Sequence, residues 1–566
     1  MAYLKNNVLF FTTSPRTPAK MIPEIKLLSE HFEGKVWNNK NQIDYIDLLA
    51  AADFFEGSGS ISDKAFSARD RINRAPKALG FIDLSPSIHL TDPGFDFVYG
   101  KRQEEIFLRQ LLKFQLPSPF HRESEQTEGC FFVKPYLEII RLINSLGYLT
   151  FDELKIFGLQ LTDYRKFNEI KDKITNHRRE VKKHQGQYKK YLDQVWTNEI
   201  CEIHKSRISE GNTKTRESSD ASLKKFIKTQ KSNMRDYADA CFRYLRYTGL
   251  TSISYSNRSI SIFEQRQPDV DFILRTISRE PDFVNDIDRY KAYLYDRNTP
   301  QLYVDNKNLL IDSIMRISQY TRKDLSSYNI DFLKDLKEQI IEAHKNSIIN
   351  GQIQRIKSYS LYSEIIDTYN EIISDNIYDA PLIFEYNTWR AMTMLDGGVI
   401  KGNFKFDDAG QPLSTASGNM PDIECNYDDF VLSVEVTLQS GQRQYESEGE
   451  SVARHFGKLK RTTGKDAYCL FIAPSINPAA LAHFYGLNHI EVSLYGGKAK
   501  IIPLELDLFM KMIESSYNYK ETPSSHDIRL FLDEAISECE KAMDENQWKS
   551  AIRNCAEKWL NSVSRC

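Results

Sequence analysis

Residues 421–456 read PDIECNYDDFVLSVEVTLQSGQRQYESEGESVARHF, and this stretch decides the C-terminal fold. If Asp428-Asp429 is a two-residue hairpin turn, Tyr427 opposes Phe430 and the residue numbers of every facing pair sum to 857. Asp422 then faces Glu435. Opposed side chains lie ~5 Å apart at Cβ, where two carboxylates repel unless a cation sits between them. Alternation puts Leu432, Val434 and Val436 on one face of the second strand and Ser433, Glu435 and Thr437 on the other. Further on, Glu448, Val452, His455 and Leu459 follow at spacings of 4, 3 and 4, one stripe of a helix. Glu448 and His455 thus lean toward the same point. At the hairpin, oxygen ligands with no His or Cys favour Mg²⁺ over zinc, and a few carboxylates around such a cation are the usual equipment for phosphodiester hydrolysis. The plain alternative is a solvated acidic hairpin, in a chain with 78 Asp and Glu.

Around this stretch the pattern is α-β-β-β-α-β. An amphipathic helix is expected at Pro381–Leu395, strands near Val399–Phe406, Ile423–Tyr427 and Phe430–Thr437, a helix from about Ser447 to Lys460 and a buried strand at Ala467–Ala473. Segments Ile490–Tyr495 and Lys500–Leu506 and a helix from Ser525 complete an α/β domain with a mixed sheet, assigned to 376–566. The N-terminal half is mainly helical. Phe66–Gly94 and Ala238–Phe263 each read as a basic helix, an abrupt Gly and two short β runs, a winged-helix-like pattern suited to placing a helix in a DNA groove. A third helix-turn-helix-like stretch spans Tyr136–Leu159, with Thr150 and Glu153 at capping-box spacing. These assign 1–130 and 131–270 to two recognition subdomains. Leu333, Leu336, Ile340 and Ala343 begin a long helical stretch, making 271–375 a helical linker.

Length and composition bound the rest. The chain has 566 residues, 41% hydrophobic and 27% charged, which suggests several folded domains and excludes a disordered or fibrous protein. Its apolar runs fall short of the ~20 residues of a spanning helix, and the N-terminus lacks the ~7 to 15 apolar residues of a secretory signal. A cytoplasmic protein with no membrane partner is expected. Eight cysteines at long spacings, with no CxxC pair, encode neither a zinc site nor a disulfide framework and read as reduced, mostly buried thiols. No Gly-rich phosphate loop or nucleophile elbow is present. A net charge of -3 conceals asymmetry, because Leu161–Arg235 carries 19 Lys and Arg against 10 Asp and Glu. That segment is a candidate phosphate-facing surface.

Pro421-Asp422 followed by Glu435-Val436-Thr437 resembles the PD-(D/E)XK nuclease core. More narrowly, the chain resembles the AlwI-type family of type IIS restriction endonucleases at SPRTPAKMIPEIKLL (14–28), FSARDR (66–71), FLRQLLKFQLPS (107–118), FRYLRYTGL (242–250), PD…EVT…ESE…RH (421–455) and YCLFIAPSIN (468–477). The resemblance implies a monomer in solution with a DNA-recognition half and a Mg²⁺ nuclease half. Such enzymes bind double-stranded DNA at a short asymmetric site, of the GAGTC or GGATC kind, and cut a few bases downstream. Carried over, the catalytic residues are Glu385, Asp422, Glu435 and Glu448, with His455 as an additional polar group, and the metal ligands are Asp422, Glu435, Glu448 and the carbonyl of Val436. Glu385 would otherwise read as a solvated helix face. Where the wider superfamily carries Lys, this chain has Thr437. Arg16, Arg69, Asp70 and Arg71 match polar positions of the family stretches, and Arg243 and Arg246 lie on the second recognition helix. Arginine suits guanine and phosphate alike, and Asp70 suits cytosine N4. A companion DNA methyltransferase, and a transient dimer through the nuclease domain or a small subunit, are implied as partners. A strand-specific nicking endonuclease, a large subunit of a heterodimeric restriction enzyme, and an inactive nuclease-fold DNA-binding regulator are the competing readings.

Overall fold

The computed structural model describes residues 2–52, 54–55, 63–215, 217–416, 420–519 and 522–562. Two compact units divide between Ile340 and Ile341. In the first, helices α1 (Met21–Phe32), α2 (Asn39–Ala50) and α3 (Lys64–Ile72) precede a hairpin of β1 (Ile82–Asp83) and β2 (His89–Leu90). Asn38 and Asp63 cap α2 and α3 by accepting backbone N–H groups that the helices leave unsatisfied. Ile82 pairs antiparallel with Leu90, so Phe66–Gly94 has the expected helix-plus-hairpin form.

The remainder of this unit is arranged less simply than its sequence. In chain order come α4 (Pro135–Leu146), β3 (Leu149–Thr150), α5 (Phe151–Ile156), α6 (Phe167–Val181), α7 (Tyr188–Ile203), α8 (Leu223–Arg246), β4 (Thr251–Ser254) and β5 (Ser259–Ile262). The strands form one sheet in the order β3-β5-β4, with Ile260 opposite both Leu149 and Ile253. Tyr136–Leu159 and Ala238–Phe263, which the sequence presents as two modules, are therefore one winged-helix-like unit. The basic segment is an insertion between its second and third helices. Thr150 and Glu153 form the capping box at the start of α5, and Gly249 takes φ +67° between α8 and β4. Phe242, Leu245, Leu250, Ile253 and Ile260 fill the core beneath the wing.

Helix α9 (Ile330–Lys357) carries Leu333 into a cluster with Leu310, Ile311, Ile314 and Leu325, and the division between the units falls within it. The second unit then runs α10 (Tyr362–Ile373), α11 (Ala380–Leu395), β6 (Val399–Gly402), β7 (Ile423–Asn426), β8 (Phe430–Val436), α12 (Gln442–Thr463), β9 (Asp466–Ala473), α13 (Pro478–His489), β10 (Ile501–Glu505), α14 (Leu506–Tyr519), α15 (Ser525–Lys541) and α16 (Glu545–Ser562). The strands form a mixed sheet in the order β10-β9-β8-β7-β6, parallel from β10 to β8 and antiparallel beyond. Its central strands are buried on both faces, as helical crossovers between parallel strands require.

Three local expectations change. Helix α11 is not amphipathic: Leu382–Leu395 is buried throughout, because the helix lies between the sheet and helices α10 and α14. The strand expected over Val399–Phe406 ends at Gly402, where the Phe404 ring folds back onto the position a Cβ would occupy, and Lys405–Phe406 pairs with Pro412–Ser414 instead. Ile490–Tyr495 is not a strand: Val492 makes a single bridge to Gly497 and Ser493–Tyr495 is a 3₁₀ turn, with Gly496 and Gly497 at φ +74° and +106° reversing the chain. Among the described residues no helix is long and apolar enough to cross a membrane. Cys241, Cys425, Cys469, Cys539 and Cys555 are buried free thiols, Cys130 and Cys201 are partly exposed ones, and Cys566 lies outside the described residues.

Candidate active site and recognition surface

The turn length decides where the acids fall. Tyr427 N–H donates to the Phe430 carbonyl at 3.0 Å across Asp428-Asp429, and Ile423 pairs with Val434, so the expected register holds. Asp422 and Glu435 occupy the next step of that ladder, at the C-terminal end of β8. Asp422 Oδ2 accepts the Val436 N–H at 2.8 Å. Glu435 is 6% exposed, and its Oε1 lies 2.9 Å from His455 Nδ1 on α12. About two turns earlier on that helix, Glu448 Oε1 accepts from the Thr437 hydroxyl at 2.8 Å and from Ser447 at 3.3 Å. Val452 and Leu459 complete the stripe as buried core contacts. Glu385 comes from α11, is 8% exposed, and accepts the Ala416 N–H at 3.1 Å, so it does not sit on a solvated face.

These groups form one electrostatic unit. Burial pushes Glu435 well above the ordinary carboxylate range and the charge of Glu448 adds to it, while a backbone hydrogen bond from Asp422 and the charge of Arg454 act the other way. Burial also raises Glu385, helped by Asp422, Asp379 and Glu435. Burial raises Glu448 too, against the hydrogen bonds from Thr437 and Ser447 and the nearby His455. Four acids thus share a desolvated corner with one imidazole, an arrangement short of positive charge. Among the described residues no three His, Cys, Asp or Glu side chains close around a single point as metal ligands do, because each carboxylate is turned onto a protein donor. The donor set itself, carboxylate oxygens in a dry site, has the chemistry of a hard-cation site.

Sequence reasoning missed what Thr437 does. It read that residue as a lost Lys, whereas the hydroxyl holds Glu448 in place. It also missed Asn403, whose backbone N–H donates to the Asp422 carbonyl at 2.9 Å and whose side chain donates to Pro421 and Glu424, pinning the strand end that carries Asp422. No pattern in the loop before Asp422 announces that contact.

The six recognition candidates are distributed through the first unit. Arg69 reaches Gln42 at 2.8 Å, and Asp70 pairs with Arg74 at 2.5 Å. Arg71 pairs at 2.5 Å with Glu24, a carboxylate whose pKa is raised by burial. Arg16 reaches across to Asp236 and Asp239 on α8, and Arg243 is held by the same Asp239. Arg246 is 4% exposed and donates to the Tyr255 hydroxyl at 2.9 Å, beneath the wing. Arg69 and Arg71 thus share one helix, and Arg16 and Arg243 share Asp239, while Arg246 faces the interior.

Known proteins can now be set beside this geometry. The sequence profile of the AlwI restriction endonuclease family matches residues 77–512. Solved structures with similar stretches include the small subunit (R.BspD6I2) of the heterodimeric restriction endonuclease R.BspD6I, at 28% identity over 36% of this chain and 97% of that one, with a TM-score of 0.29. The BpuJ1 endonuclease binding domain, solved with pyrene- and phenanthrene-modified DNA, is 13% identical over 52% of this chain and 98% of its own, with a TM-score of 0.34. Restriction endonuclease FokI is 11% identical over 94% and 99%, with a TM-score of 0.23. No curated protein matches the chain. Since the family profile covers well over half of its length, the chain belongs to the AlwI restriction endonuclease family and is a site-specific deoxyribonuclease.

Proposed function

We propose that the protein is a type IIS restriction endonuclease, which binds a short asymmetric duplex sequence through its first unit and hydrolyses phosphodiester bonds a few bases downstream through its second. The observation that carries this reading is the meeting of Glu385, Asp422, Glu435, Glu448 and His455 at one end of a buried mixed sheet. Asp422, Glu435 and Glu448, with the Val436 carbonyl, would hold Mg²⁺. When bound there it supplies acidity to a water molecule and neutralises charge on the phosphate. Glu435 orients the His455 ring through Nδ1, so His455 is placed to move a proton at Nε2. Thr437 orients Glu448, and Asn403 anchors the backbone of Asp422.

One such site cuts one strand. Cutting both strands therefore calls for a second site, from a transient dimer formed on DNA or from a small subunit, and without either the enzyme nicks. A companion methyltransferase would protect host copies of the recognised sequence. Digestion of supercoiled plasmid with Mg²⁺, followed by run-off sequencing of both strands, tests the reading. Cuts at a fixed offset from one shared asymmetric sequence are expected. Intact plasmid that still shifts on a gel would replace this reading with that of an inactive DNA-binding regulator.

A further inference from the structure

The inserted basic segment is helical, and both sides of the tip where α6 turns into α7 are tied to the winged-helix-like unit. Arg178 donates to both oxygens of Glu153 at 2.7 and 2.9 Å and to the Tyr148 carbonyl at 2.7 Å, and its guanidinium stacks 4.0 Å over the Tyr148 ring. The Tyr188 hydroxyl donates to Asp152 at 3.0 Å, Lys173 pairs with Glu199 at 3.1 Å, and Lys231 on α8 pairs with Asp193 at 2.5 Å. Near the tip, His184 stacks on Tyr191 with ring centroids 4.4 Å apart.

The tip is strongly basic. Arg179, Lys182, Lys183, Lys189 and Lys190 are exposed where α6 gives way to α7, and the one acid among them, Glu180, pairs with Lys183 at 2.6 Å. Among the described residues, Arg179, Lys182, Lys189 and Lys190 have no carboxylate partner. Like charges gathered in one turn repel one another, and among the described residues no carboxylate neutralises these four. By contrast Arg16, Arg71 and Arg243 are already paired within the unit. The tip therefore offers exposed cations that those three arginines, held in ion pairs, do not.

We propose that this tip grips the phosphate backbone of the duplex beside the recognised bases, a contact of charge with no sequence content. The proposal rests on the reading of the first unit as the DNA-binding half. Such a contact makes affinity depend on flanking DNA of any sequence.

The test uses the full-length protein and two duplexes containing the sequence mapped by run-off sequencing, one with long flanks and one trimmed to the recognised bases. Each phosphate contact contributes about 0.9 to the slope of log affinity against log salt. The variant R179A/K182A/K189A/K190A is expected to lower that slope by about 3 to 4 on the long duplex, and by nothing on the trimmed one. Wild type should then lose about 100-fold more affinity than the variant on the long duplex between 50 and 200 mM salt. The substituted side chains are exposed, so an unchanged melting curve is the check on folding, and K182E/K190E is the second variant should the first fail it. An unchanged slope on the long duplex overturns the proposal while leaving the endonuclease reading intact. Failure of the wild-type protein to prefer the mapped duplex overturns both.

Discussion

Replacing Thr437 by Val tests the active-site geometry with the least disturbance. The side chain is 6% exposed, so shape is kept and the hydroxyl that donates to Glu448 at 2.8 Å is removed. A net hydrogen bond to a charged group is worth about 1.5 to 3 kcal/mol, and about 1.4 kcal/mol is tenfold in an equilibrium constant. If the hydroxyl fixes Glu448 as a metal ligand, the Mg²⁺ concentration for half-maximal cleavage rises by about 10- to 100-fold, the range typical of residues that orient ligands. Rate at saturating Mg²⁺ should largely recover, because Glu448 itself remains. The assay is single-turnover cleavage of plasmid across a Mg²⁺ titration, with Thr437→Ser expected to behave as wild type. An unchanged Mg²⁺ midpoint in Thr437→Val would refute the positioning role, and a loss of maximal rate at every Mg²⁺ concentration would show that the hydroxyl acts in the chemical step instead.

Asp422→Ala and Glu435→Ala should each abolish cleavage while specific binding, measured by gel shift, survives; cutting by either variant would displace the assigned site. In chelator, stability should fall as pH rises. Glu435 and Glu385 have folded-state pKa values raised by burial, so the folded protein holds their protons more tightly than the unfolded chain does. Their stabilising effect is full below the ordinary carboxylate range and is lost as pH climbs through it toward the raised values. Urea midpoints across that range should show the decline, and Glu435→Gln should flatten it. Arg71→Ala should lower stability by about 3 kcal/mol, because it strands the buried Glu24 carboxylate. Arg69→Ala breaks a contact to neutral Gln42 and should instead weaken specific DNA binding by about 1 to 3 kcal/mol with little change in melting. Equal melting losses in the two variants would assign both arginines to folding.

The active-site hairpin was legible in the sequence because its geometry is local. A two-residue turn sets the register of both strands, and the observed pairing of Ile423 with Val434 follows from Asp428-Asp429 alone. The stripe of Glu448 and His455 is likewise local, since helical pitch brings residues three and four apart onto one face. Glu385 was reachable only by family resemblance. It lies 37 residues before Asp422 on a helix buried all round, and such a helix carries no periodicity to say which side faces the acids.

The N-terminal half shows the same division by distance. Capping boxes, glycine punctuation and the two short hairpins were written in adjacent residues. That β3 joins β5 and β4 in one sheet, turning two apparent modules into one with a helical segment inserted, depends on pairing Leu149 with Ile260. A contact between residues so far apart in the chain leaves no periodic trace in either partner. The same holds for charge: arginine content was plain from the sequence, but whether a given arginine faces solvent or spends its donors on Glu24, Asp239 or Tyr255 was decided only when the chain brought those groups together. Local rules of turn length and helical pitch thus determined the carboxylate hairpin and the Glu448–His455 stripe, while long-range packing decided the place of Glu385, the continuity of the winged-helix-like unit and which charges stay exposed.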